Sequence, residues 1–293
     1  MAECNMARAA ISAALRPVTD AAGMTPGIRY DALWGRFLAV EEECLRLRQA
    51  LREEEHQTER PGPEAHFAAF DTYEDSISES IKNKARDVFN VLLGIARKEF
   101  SPPGAEIEIN EAIYEKRFMQ PLWRGDRWKD FRPSAIWQAL CDDLSGGRGI
   151  EMAYRKTAKN LVHGLGIEIG KPLERRNGQV ILSASVWLDP YDKIDGKTKI
   201  SRDSAERIRR LMQDVEAFAN WAKLTMLAAG AATFRNTLGQ DRTVISRKRL
   251  RMSDRMEVVT YHTRFEFCFN QAVAVKLQEF IVTHYPMKTE NAA

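Results

Sequence analysis

One stretch constrains this chain more than any other: residues 134–189, SAIWQALCDDLSGGRGIEMAYRKTAKNLVHGLGIEIGKPLERRNGQVILSASVWLD. Ser134 is placed to cap a helix whose inner face is Ile136, Trp137, Leu140 and Leu144. Gly146, Gly147 and Gly149 follow as a turn that few other residues adopt cheaply. A second helix is predicted over 150–163. Met152, Ala153, Leu161 and Val162 are available to pack inward, and Arg155, Lys156, Lys159 and Asn160 lie on the outer side. Gly164 and Gly166 end it, and Ile167 and Ile169 open a strand. Arg175, Arg176, Asn177 and Gly178 form a hairpin tip, because Asn-Gly suits a type I′ turn. The return strand over 179–188 puts Val180, Leu182, Ala184 and Val186 on one face.

Helix, turn, basic helix and basic-tipped hairpin, in that order, form the pattern of a winged helix. That unit places its second helix in the major groove of DNA. On this reading Arg148, Arg155, Lys156 and Lys159 neutralise phosphates. Asn160 or Arg155 reaches base edges, and Lys171, Arg175 and Arg176 touch the neighbouring minor groove or backbone. The same pattern also suits a protein-interaction module, or an ordinary α+β core with a solvated basic face.

Charge is distributed unevenly. The chain carries a net +3, yet residues 31–79 hold 13 acidic residues against 5 arginines. An acidic arm on a basic body points to a polyanionic partner for the body, or to an arm that docks onto it. Within the arm, Tyr30, Leu33, Phe37, Val40, Cys44, Leu47 and Leu51 alternate spacings of three and four, a seam of about three heptads. It reads either as a coiled coil that joins two copies or binds a partner, or as an amphipathic helix packed on its own domain. The predicted division is a flexible N-terminus (1–29), the heptad helix (30–52) and a Pro/Gly/Glu linker (53–66). A winged-helix domain (67–195), a C-terminal α+β domain (196–286) and a tail (287–293) follow.

Elsewhere the pattern is less pointed. Residues 75–100 form a helix with Ile77, Ile81, Val88, Leu92 and Ile95 on one face. Residues 106–109 read as a short strand, and Asn110 as the cap of a helix ending before Pro121. Residues 121–133 interleave Trp123, Trp128 and Phe131 with Arg124, Arg127, Lys129 and Arg132. Such a loop stacks on bases or tucks its tryptophans into the core. Residues 189–199 read as a hydrophilic loop, in which Asp189, Asp192 and Asp195 lack the spacing of a calcium loop. A long helix is expected over 203–228, with Arg207, Arg209 and Arg210 at the end that the macrodipole disfavours. Residues 242–255 add Arg247, Lys248, Arg249 and Arg251, in a strand or loop, to the candidate DNA-binding residues, which also include Arg124 and Arg127. Alternation continues over 258–269, and Asn270 caps a closing helix with Val273, Leu277, Phe280 and Ile281 inward. The fold class is α+β and helix-rich.

Residues 134–189 resemble the winged-helix units of plasmid replication initiators, in the order LSGGRG, AYRKTAKNLVHGL, hairpin. That resemblance implies binding to repeated origin sequences, with a neighbouring segment supporting dimerisation. The closing segment RMEVVTYHTRFEFCFNQAVAVKLQEFIVTHYP is similar to a family carried by phages and plasmids. It departs from that family's pattern before the last strand, where Tyr261, His262 and Thr263 stand. Catalysis is not expected. His56, His66, His163, His262 and His284 are scattered, and neither a phosphate-binding loop nor an HExxH pair occurs. Cys4, Cys44, Cys141 and Cys268 are widely spaced, which suggests a reducing cytoplasm and no metal or other cofactor. No run is long and apolar enough to span a bilayer, so no membrane partner is expected. The expected function is duplex DNA binding, as a replication initiator or transcription regulator of a bacterial mobile element. The alternatives are an adaptor or host-factor inhibitor using the acidic helix, and a nucleic-acid-processing enzyme.

Overall fold

A computed structural model describes residues 23–58, 74–123, 127–171, 173–194 and 197–286. The chain is α+β and helix-rich with two antiparallel sheets. It forms two compact units, one of Met1–Glu99 with Ile109–Ser145 and the other of Phe100–Glu108 with Gly146–Ala293. The boundary at Ser145 falls inside the stretch that the sequence reads as one domain, 67–195.

The first unit is helical. Helix α1 (Pro26–Thr58) outruns the heptad seam at both ends and takes in the first residues of the expected linker. Residues 59–66 of that linker, and residues 1–22 of the N-terminal stretch, lie outside the described residues. Helix α2 (Glu74–Phe100) buries Ala85, Val88, Phe89, Leu92, Leu93 and Ala96. Ile81 and Ile95, expected on that face, are half-buried. Helix α3 (Glu111–Tyr114) runs through a π-helical turn (Glu115–Met119) into α4 (Gln120–Trp123). The helix therefore does not stop before Pro121; the widened turn absorbs the proline, which has no N–H to give. A 3₁₀ turn (Trp128–Asp130) leads to α5 (Pro133–Leu144).

Helix α1 packs on α5 through one stripe. A Cβ on Gly27 would lie 2.7 Å from Trp137 Cβ, so the helices approach closely there. Asp31 Oδ1 accepts the Ser134 N–H at 2.9 Å. Trp34, 3% exposed, meets Phe131 edge-on at 4.9 Å. Ser134 is thus not the cap of α5. Pro133 occupies the first turn, and a carboxylate from another helix satisfies the orphan N–H. The expected inner face of α5, Ile136, Trp137, Leu140 and Leu144, is buried. Trp128 and Phe131 are core residues, whereas Trp123 is exposed. Between α2 and α3, residues 106–109 have no regular secondary structure and do not form the expected strand. Asn110 precedes α3 without a side-chain cap bond.

The second unit lays helices over a five-stranded antiparallel sheet. Its elements are α6 (Arg148–Gly164), β1 (Arg175–Arg176), β2 (Gln179–Ser185), β3 (Leu188–Ile194), β4 (Lys197–Ile200) and α7 (Arg202–Trp221). They continue as α8 (Thr225–Gln240), β5 (Thr243–Val244), β6 (Lys248–Arg251), β7 (Met256–Thr260), β8 (Arg264–Asn270) and α9 (Gln271–His284). The large sheet has the order β1-β2-β8-β7-β6, and β3-β4-β5 form a small one. Register aligns one apolar face. Val180, Leu182 and Ala184 stand opposite Phe269, Phe267 and Phe265, which in turn face Met256, Val258 and Thr260. Against this face pack Ile208, Leu211, Met212, Val215 and Phe218 of α7, Phe234 of α8, and Val273, Leu277 and Phe280 of α9. Each fully buried Phe contributes about 2–3 kcal/mol of transfer free energy.

Three expectations are corrected here. Ile167 and Ile169 do not start a strand: residues 167–170 are irregular, and Ile167 packs against the apolar core while Ile169 stays exposed. The 189–199 loop is instead the β3–β4 hairpin. The long helix divides at Lys223 (φ 58°) into an αα-hairpin, with Leu224 N–H bonding Ala219 O at 2.8 Å. The Asn270 cap is present, Oδ1 accepting Val273 N–H at 3.0 Å.

Candidate nucleic-acid interface

Helix α6 begins at a turn in which Gly146 (φ 65°) and Gly147 (φ 86°) are both left-handed. Its sequence then separates two faces. Ala153, Thr157, Ala158, Leu161 and Val162 are buried, and Arg148, Arg155, Lys159, Asn160 and His163 are exposed. Met152, expected inward, is exposed at 40%. The first turns of α6 are tied to α9 through Glu151. One carboxylate oxygen accepts from Arg155 Nε at 2.9 Å, and the other lies 3.2 Å from His284 Nδ1. The His284 ring sits among Tyr154, Phe280 and Trp221 at 5.2, 4.9 and 5.8 Å.

Beside the basic face lies an open cleft of about 870 Å³ between α6, α7, the end of β2 and residues 104–106. Lys156, Asn160 and His163 enter it from α6, and Arg207, Arg210 and Asp214 from α7. Arg207 donates to Ser185 O at the cleft wall. Arg209 and Arg210 are held by Glu206 at 2.8 and 3.2 Å. A carboxylate on their own helix thus offsets part of the unfavourable placement of Arg209 and Arg210 near its start. Asp214 is the unusual group. Burial pushes its carboxyl up to about 7, although the Asn160 amide, 3.3 Å away, the Lys156 charge and the Thr157 hydroxyl all oppose that shift. Asn160, read as a base reader, thus donates its side-chain amide to Asp214.

The structure brings together only some of the predicted site residues. Lys156 and Asn160 share the cleft, with Arg155 and Lys159 on the adjoining exposed surface of α6. Arg175 and Arg176 lie at the β1 edge of the large sheet, where Asn177 (φ 53°) and Gly178 (φ 73°) make the expected turn. Arg176 pairs with Glu174 at 3.0 Å, and Lys171 pairs with Glu168. Arg247, Lys248, Arg249 and Arg251 are exposed at the opposite edge, on and just before β6, with Arg249 bound to Glu257 at 3.1 Å. Arg127 belongs to the first unit and pairs with Asp130 at 2.7 Å. Arg124 lies outside the described residues, as do Asp195 and the side chain of Asp192. Among the described residues no cluster of His, Cys, Asp or Glu could hold a metal ion.

Sequence reasoning missed Arg210 and Asp214 as cleft residues. A signal for Asp214 exists: it stands three residues after Leu211 and four before Phe218, at the border of the buried stripe of α7. Among the described residues no helix is long and apolar enough to cross a membrane. Comparison with known protein families, with curated proteins and with solved structures returned no match.

Proposed function

We propose that the second unit binds duplex DNA through the outer face of α6 and the adjoining cleft. The observation that carries this reading is the run of cations along the outer face of α6 and into the adjoining cleft, which Glu106, Glu206 and Asp214 also line. Exposed Arg155 and Lys159 adjoin Lys156, which shares one open cleft with Arg207 and Arg210. The stretch Gly146–Ala293 has 25 basic against 16 acidic residues, so the local field attracts a polyanion. Helix α6 is 17 residues long, about 26 Å, a length that lies readily in a major groove. In the winged-helix form of the proposal, α6 enters that groove and the Arg175–Arg176 tip rests on the neighbouring backbone. The resemblance to plasmid initiators makes directly repeated duplexes the first sequences to try.

The test is a salt titration of duplex binding. Five phosphate contacts, from Arg155, Lys156, Lys159, Arg207 and Arg210, give a slope of log K against log salt of about −4.5. Between 50 and 200 mM salt the affinity then falls by a few hundred-fold. Arg155→Ala with Lys159→Ala should lower affinity at each salt concentration and make the slope shallower by about 2, with the melting temperature little changed. Binding that is insensitive to salt, or untouched by the double substitution, overturns the reading.

A further inference from the structure

We propose that α1 pairs with a second copy of this chain as a parallel, in-register two-stranded coiled coil. Three observations combine. First, α1 is one continuous helix over Pro26–Thr58, so the residues at spacings of three and four stay on a single stripe. Tyr30, Phe37, Cys44 and Leu51 occupy one set of core positions, and Leu33, Val40 and Leu47 the other.

Second, α1 packs on its own unit through a different stripe, that of Gly27, Asp31 and Trp34. Leu33 and Leu51 remain 41% and 42% exposed, and the seam residues between them are half-buried. The helix that holds the seam is therefore already fixed in place, while no seam residue is itself fully buried and Phe37 meets the buried Trp34 at 5.4 Å.

Third, the charges beside the seam choose an orientation. In a parallel pair each residue just before an upper core position faces the residue five places further along the other helix. Arg36 then faces Glu41 of the second copy, and Glu43 faces Arg48 of the second copy. Two-fold symmetry repeats both pairs, and all are attractive. The antiparallel arrangement that overlaps the whole seam, with Val40 against Cys44, sets Glu43 against Glu43 and Glu41 against Glu41 of the second copy. Within the single chain Glu43 turns to Arg46 at 2.9 Å and Glu41 to Ser80 at 3.5 Å. Both are exposed bonds that give way at little cost.

The test uses the full chain. Sedimentation at micromolar concentration should show the mass of two chains. Mild oxidation should join them through Cys44, which meets its own counterpart only in the parallel, in-register pair, and Cys44→Ser should abolish that link. Arg36→Glu with Arg48→Glu makes positions 36, 41, 43 and 48 all acidic, and Glu41→Arg with Glu43→Arg makes all four basic. Each variant should be monomeric alone, and an equimolar mixture should regain the two-chain mass. A monomeric wild type overturns the proposal. So does a dimer that fails to cross-link through Cys44, or one indifferent to the charge changes.

Discussion

Asp214 shows how one residue can couple the cleft to pH. Its carboxyl holds a proton more tightly in the folded chain, at about 7, than at its ordinary value of 3.8. The folded state therefore binds more protons than the unfolded state between those values, and stability contributed through this group falls as pH rises from about 4 to 7. Asp214→Asn keeps an acceptor for Asn160 and removes the buried charge. Thermal unfolding at pH 8 should show the variant more stable than wild type by roughly 1–2 kcal/mol, with the gap closing at pH 4. A gap that is constant across that range would mean that burial of the charge is not the cause.

At the level of helices and strands, packing decides the outcome wherever local preference is weak. An alanine in place of a mid-helix glycine ordinarily adds up to about 1 kcal/mol. Gly94, exposed in α2 with nothing within 4 Å of an added Cβ, should follow that rule and gain. Gly230 of α8 should reverse it. A Cβ there would lie 2.7 Å from Met252 O, a backbone atom just beyond β6 that cannot turn aside. Gly230→Ala should lose about 1–3 kcal/mol in denaturant unfolding, and a gain would show that helix and strand can separate freely. The same contrast explains what could be read in advance. The spacing of the α5 face, the Asn177-Gly178 turn and the Asn270 cap are each written within a few residues, and each is where the pattern places it. The β3–β4 hairpin is not readable that way, because its polar residues gain strand geometry from pairing that extends to β5. Nor is the break at Lys223, where α8 folds back on α7 although no glycine or proline marks the turn. In the cleft, the α6 cations were readable from helical spacing. Their meeting with Arg210 and Asp214 depends on the α6–α7 packing, which no local pattern encodes.

For the molecule as a whole, the division into two units does not follow the chain. The segment Phe100–Glu108 belongs with Gly146–Ala293, while residues on both sides of it belong to the helical unit. It is anchored by Asn220 Nδ2, which donates to Pro103 O at 3.2 Å, and by Gly104, where an added Cβ would come within 3.1 Å of Ala217 N. A protease site introduced between Gly146 and Gly147, in the exposed turn, should therefore yield two pieces on a denaturing gel that elute together on a native column. Separate elution would mean that this anchor does not hold. The same arrangement sets an order during synthesis. The helical unit is complete once Ser145 has left the ribosome, but Phe100–Glu108 must then wait, its partners in α7 more than 100 residues behind it. Until Asn220 emerges, that short segment is a vacant hook, and the basic unit is the half of the protein that finishes last.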